Sequence, residues 1–142
     1  SDGAAPDDIL PSADQILEVR LNGPAYRIFG AVWTSRDGLR WERVPAQSLP
    51  NDPEESVQLY AVAATRDGLV AAGWRQRGRE INAGVWTSGD GRTWTVATHA
   101  QNVLTDEGAQ VIADITVVGP GLVAVGTDGT AFGADAAVWT SP

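Results

Sequence analysis

The 142-residue chain contains no cysteine, no methionine and no lysine, and its only histidine is His99. Without cysteine there is no disulfide framework, no zinc-thiolate site and no thiol nucleophile. Without methionine the chain reads as a processed or excised piece of a translation product. Basic charge is scarce: ten arginines stand against 18 acidic residues, a formal net charge of −8. A protein that grips a phosphate backbone carries a basic stripe, so nucleic acid is not an expected partner. No apolar run reaches the roughly 18 to 20 residues that cross a bilayer. No signal-peptide pattern is visible, and the processing implied by the missing methionine is of the kind that removes one, or leaves behind the stretch after a lipid anchor. What remains is 43% hydrophobic, enough for one globular domain over residues 1–142.

Internal repetition dominates that domain. Val32-Trp33-Thr34-Ser35 recurs as Val85-Trp86-Thr87-Ser88 and as Val138-Trp139-Thr140-Ser141, at intervals of 53 residues. Gly68-Leu69-Val70-Ala71-Ala72-Gly73 recurs 53 residues later as Gly121-Leu122-Val123-Ala124-Val125-Gly126. Asp37-Gly38 with Trp41 matches Asp90-Gly91 with Trp94 at the same offset. Agreement of all these anchors on one period, without insertion, defines repeats at about 7–59, 60–112 and 113–142.

The middle repeat predicts four short strands. Leu59–Ala64 is strand A, ended by Arg66-Asp67-Gly68; Leu69–Trp74 is strand B, apolar on both faces; Asn82–Ser88 is strand C; Thr93–Ala97 is strand D, after the tight Gly89-Asp90-Gly91 turn. The first repeat offers Gln15–Leu21, Ala25–Ser35 and Arg40–Val44, and the third stops before a strand D. Four antiparallel strands per roughly 50 residues is the pattern of a β-propeller blade. The expected fold is therefore all-β, with about 2.7 blades, since 142/53 is near that value. Closed propellers use roughly four to eight blades, so the expectation is a partial propeller, or a ring completed by an oligomer or a longer protein. Residues 1–13 are read as an acidic tail or as an exchanged strand, because Ser1-Asp2-Gly3 matches the turn that would follow Ser141.

The segments Ser35-Arg36-Asp37-Gly38-Leu39-Arg40-Trp41 and Thr87-Ser88-Gly89-Asp90-Gly91-Arg92-Thr93-Trp94 resemble the Asp-box, or BNR, repeat of sialidases and other propellers. Asp and Gly are adjacent here, one residue closer than in the standard motif. The closest resemblance is to the Val-Trp-Thr-Ser-x-Asp-Gly-x-x-Trp repeats of secreted or envelope-attached bacterial propellers. It implies an extracellular or cell-envelope location, and structural roles at the blade periphery for Ser35, Asp37, Gly38, Trp41, Ser88, Asp90, Gly91 and Trp94. The aspartate would accept turn amides, the glycine would take positive φ, and the tryptophan would pack on the hairpin. Trp33, Trp86 and Trp139 are expected between blades.

In such a meander the A–B and C–D turns share one edge, while the B–C and D–A connections share the other, where they are expected to be long and variable. There Arg75, Arg77 and Arg79 form a candidate anion site, and Glu54 and Glu107, equivalent in the repeat, form a candidate carboxylate pair. Surface pairing of the arginines with acidic loops is the competing expectation. A sialidase resembling this repeat needs an arginine triad, a Tyr–Glu pair and an acid Asp from several blades. Only Tyr26 and Tyr60 are tyrosines, and the three arginines crowd one loop. No Gly-x-Ser-x-Gly elbow frames a serine, Asp52, Glu54 and Glu55 lack calcium-loop spacing, and no phosphate loop precedes a helix. No catalytic residue, metal or cofactor is assigned. The reading is a non-enzymatic binding or scaffold module with a protein or carbohydrate ligand, as a homo-oligomer or part of a longer propeller. A fragment of a sialidase-like glycoside hydrolase and an oligomeric lectin stand as alternatives.

Overall fold

The computed structural model describes residues 27–50, 52–97, 104, 108–130 and 133–142. Their elements are β1 (Trp33–Thr34), β2 (Glu42–Arg43), a 3-10 turn (Ala46–Ser48), β3 (Glu55–Thr65), β4 (Gly68–Arg77), β5 (Glu80–Ser88), β6 (Thr95–Val96), β7 (Ala109–Val118), β8 (Gly121–Thr130) and β9 (Gly133–Ser141). The architecture is all-β, and its sheets are open. Among the described residues β1 pairs only with β2, while the larger sheet runs β3-β4-β5-β7-β8-β9, with β6 beside β5.

The larger sheet is two antiparallel groups, β3-β4-β5-β6 and β7-β8-β9, joined by one parallel bridge, Ile81 to Ala109. Ile28 and Ser56, each 53 residues earlier, make the matching junction. The Val57 amide donates to the Ile28 carbonyl at 2.7 Å, and the Ile28 amide donates to the Ser56 hydroxyl at 3.3 Å. Counted by strand groups, in which β3 and β7 each open a new unit at Glu55 and Ala109 rather than after residues 59 and 112, successive units meet at equivalent positions, through hydrogen bonds in the first case and a single parallel bridge in the second.

A second device also repeats. Leu59 pairs with Gly73 but Ala61 pairs with Ala72, so Tyr60 is an extra residue in β3. Ile112 pairs with Gly126 and Asp114 with Val125, so Ala113 is the extra residue in β7. Such bulges bend a strand and raise its twist. Each stands against a glycine that cannot be replaced freely: a Cβ on Gly73 would overlap the Gln58 carbonyl, and one on Gly126 would overlap that of Val111.

The core lies between the repeats as well as within them. One buried cluster joins Val70, Ala72 and Ala83 of the second repeat to Ile112, Ile115 and Ala124 of the third. The other joins Leu49 of the first repeat to Val57, Ala71, Trp86 and Trp94 of the second. Alternate residues of β4 therefore face opposite neighbours, which is why the strand is apolar on both sides.

Strands A, B and C of the middle repeat run longer than the sequence suggests, and strand D is only Thr95–Val96. Within the described part of Ala25–Ser35, ladder pairing is confined to Trp33–Thr34. Gln15–Leu21 and residues 1–13 lie outside the described residues. The expected long B–C connections are corrected: β4 pairs with β5 as far as Arg77–Glu80, leaving only Gly78 and Arg79 as the turn. Likewise β8 pairs with β9 as far as Thr130–Gly133. Arg75 and Arg77 are strand residues because Val57 and Glu55 of β3 lie opposite them and extend the ladder. No described helix is long and apolar enough to cross a membrane.

Candidate functional site

The two Ser-x-Asp-Gly turns have matching hydrogen bonds. In the first, Asp37 Oδ1 accepts the Leu39 and Arg40 amides at 2.8 and 2.9 Å, Ser35 Oγ accepts the Gly38 amide at 2.8 Å, and Trp41 Nε1 donates to the Gly38 carbonyl at 3.2 Å. In the second, Asp90 Oδ1 accepts the Arg92 and Thr93 amides at 2.8 Å each, Ser88 Oγ accepts the Gly91 amide at 2.8 Å, and Trp94 Nε1 donates to the Gly91 carbonyl at 3.2 Å. Gly38 and Gly91 hold φ of 74° and 73°, a region costly for a residue with a Cβ. Each serine hydroxyl also donates to its aspartate at 3.2 Å.

These donors stabilise the ionised carboxylates. Asp37 is held below the ordinary aspartate value first by the Arg40 amide and then by that of Leu39. Asp90 is held below it first by the Thr93 amide and then by that of Arg92. In each turn Oδ1 accepts two backbone amides and the serine hydroxyl, so these carboxylates act as turn staples. The Trp41 and Trp94 indoles differ in surroundings: Trp94 is 3% exposed and Trp41 is 61% exposed.

The opposite end of the strands is built otherwise. From Gly68 to Arg77, β4 carries the chain about 30 Å away from the turns. There Arg75 Nη2 meets Glu55 Oε1 at 3.1 Å, and Arg77 Nε meets the same oxygen at 3.4 Å. Arg77 also pairs with Asp52, and with Glu54 at 3.6 Å. Two of the three sequence-singled arginines are therefore gathered with Glu54, and each is already matched by a carboxylate. Arg79 sits exposed in the turn. Glu107, Tyr26 and His99 lie outside the described residues.

Sequence reasoning missed two features at this end. Trp74 Nε1 donates to the Tyr60 hydroxyl at 3.2 Å, joining a half-buried indole to a half-exposed phenol on the bulge. Gln110, 1% exposed, donates through Nε2 to Asp128 at 3.0 Å. The 53-residue offset holds the signal for both: Tyr60 and Trp74 correspond to Ala113 and Thr127 in the next repeat, and Val57 and Arg75 correspond to Gln110 and Asp128. One end of the sheet is thus the same in successive repeats, while the other carries an aromatic and ionic group in one repeat and an amide-carboxylate pair in the next. No group of three or more metal-ligating side chains occurs among the described residues.

Compared with known protein families, curated proteins and solved structures, the chain matches none.

Proposed function

We propose that the chain is a non-enzymatic binding or scaffold module made of propeller-type, Asp-box-like blades, placed outside the cell or on its envelope. The observation that carries this reading is the contrast between the two ends of the sheet. Turn network, bulge and glycine recur at the 53-residue offset, and the junctions between strand groups fall at equivalent positions, as a scaffold requires. Residues such as Tyr60, Trp74, Arg75 and Arg77 do not recur, and they gather at one end. Positions free of the scaffold's demands are where recognition is ordinarily placed. Arg75 and Arg77 are already engaged by carboxylates of their own chain, which leaves the exposed Tyr60 ring and Arg79 to make contact.

The carbohydrate-binding reading is favoured by one feature, the Tyr60–Trp74 pair. Aromatic faces stack on the C–H faces of sugar rings, and the phenol is already oriented by the indole N–H. The test is a tryptophan-fluorescence titration with neutral and sialylated oligosaccharides, repeated with Tyr60→Ala and Trp74→Phe, beside hydrolysis of a fluorogenic sialoside. Saturable binding reduced by Tyr60→Ala supports a glycan-binding module. Turnover of the sialoside would replace the scaffold reading with a glycosidase.

A further inference from the structure

Position by position, the repeat offset shows which faces of this molecule are covered and which are open. Val32, Val85 and Val138 are equivalent residues of successive repeats. Val32 packs against the cluster containing Trp86 and Trp94 of the second repeat. Val85 packs against the cluster containing Ile112 and Ala124, which Trp139 of the third repeat also joins. Val138 is 66% exposed, and Val125, directly opposite it on β8, is 43% exposed. The equivalent tryptophans run the other way. Trp86 is 1% exposed and Trp139 is half-buried, but Trp33 is 53% exposed.

A valine face therefore lies open on the last repeat and a tryptophan face on the first. Wherever these two kinds of face occur inside the chain, they are packed against each other. The first-repeat face also carries Trp41, whose equivalent Trp94 is 3% exposed within such a junction. The valine face carries Val123, Val125, Ala136 and Val138 along β8 and β9, flanked by Thr127 and Thr140, and Asp114 and Thr116 on β7, where the second repeat has Ala61 and Ala63. Both open faces are continuous with the internal interfaces, and backbone contacts stand at equivalent positions of both internal junctions, Ile28 with Ser56 and Val57 in the first and Ile81 with Ala109 in the second.

We propose that these faces bind each other between molecules: the Val125–Val138 face of one chain receives the Trp33–Trp41 face of a second chain, head to tail. The contact is heterologous, so each molecule keeps one free face of each kind after the first association, and growth proceeds to a ring or a short filament. This goes beyond the binding-module reading and rests only on the packing of the repeats, so either can fail without the other. With a net charge of −8 on each chain, salt screens the repulsion and tightens the association.

The test is sedimentation velocity on the full chain from about 1 to 200 μM, a range that brackets a micromolar apolar contact. The unsubstituted chain of 14.9 kDa is expected to rise with concentration to twice that mass and beyond. Val138→Glu and Trp33→Glu should each weaken self-association by about 100-fold or more. An equimolar mixture of the two should recover a dimer and stop there, since each partner has one intact face. Should either glutamate variant fail to fold, Val138→Cys and Trp33→Cys serve instead. In a chain without cysteine, mild oxidation of their mixture should give the mixed disulfide in preference to either symmetric one. An unsubstituted chain that stays monomeric to 200 μM overturns the proposal, the faces then belonging to other partners or further repeats. Self-association indifferent to both substitutions, or symmetric disulfides in excess, overturns it equally.

Discussion

Trp33 and Trp86 occupy the same place in successive repeats, so truncating each separates what the repeat requires from what packing contributes. Trp86 is 1% exposed and packed with Leu49, Val57, Ala71 and Trp94. Removing a fully buried large aromatic costs about 3–5 kcal/mol in lost transfer energy and cavity formation. For a chain of this length that corresponds to a fall in Tm of roughly 10 °C or more. Trp33 is 53% exposed, with the Arg43 guanidinium 5.9 Å from its ring centroid. Its truncation forfeits partial burial and an exposed cation–π contact, on the order of 1 kcal/mol. Trp86→Phe adds a third arm. The Trp86 Nε1 hydrogen has no acceptor among the described residues. Phenylalanine keeps most of the apolar contact and removes that donor, for a net loss of about 1–2 kcal/mol. The assay is urea unfolding at low micromolar concentration, where self-association adds nothing to stability. Equal losses for Trp33→Ala and Trp86→Ala, or a loss below about 1 kcal/mol for Trp86→Ala, would refute the assignment of Trp86 to a core between repeats.

Gly73→Ala and Gly126→Ala should each destabilise by about 2 kcal/mol or more, because the new methyl meets a backbone carbonyl across the bulge, whereas Gly133→Ala, with open space around it, should stay within about 0.5 kcal/mol. Urea midpoints compare all three directly. Asp37 and Asp90 have folded-state values below the ordinary 3.8, so their contribution is present above that pH and lost as pH falls through the folded values. Asp37→Asn and Asp90→Asn should therefore flatten the acid limb of stability below about pH 4, with a smaller difference from the parent chain there than at pH 7. Arg77→Ala should cost less than about 1 kcal/mol, since its ion pairs are largely solvated, and that loss should shrink in high salt.

The sequence was most legible where one residue type answers one local demand. Asp-Gly followed by Trp marked both turns, because only certain side chains accept three donors or tolerate positive φ there. The apolar run at Leu69–Trp74 marked a strand buried on both faces, whereas the equivalent run in the next repeat leaves Val125 43% exposed. Strand ends were less legible. Arg75, Gln76 and Arg77 have no pronounced strand preference, and they join β4 because Glu55, Ser56 and Val57 supply backbone partners and an opposite charge. That information lies 20 residues away in the chain. The bulges were hidden for a similar reason, although Gly73 and Gly126 in otherwise apolar strands carried a trace of them. Strand D is short because Trp94 turns its amide to the Ser48 carbonyl at 2.9 Å, a partner in the preceding repeat. Of the candidate site, the charge cluster at Arg75 and Arg77 was visible, whereas the Tyr60–Trp74 contact depends on a bulge that no local pattern announces.

The repeated junction is the feature on which scaffold and association both depend, and it is open to direct measurement. In nuclear Overhauser spectra of the labelled chain, contacts are expected between the Val57 amide and the Ile28 backbone, and between the Ala109 and Ile81 backbones. Both contacts together would establish that one docking geometry joins successive repeats. If the second contact is present without the first, or both are missing while β3 to β5 remain paired, the repeats do not stack as described.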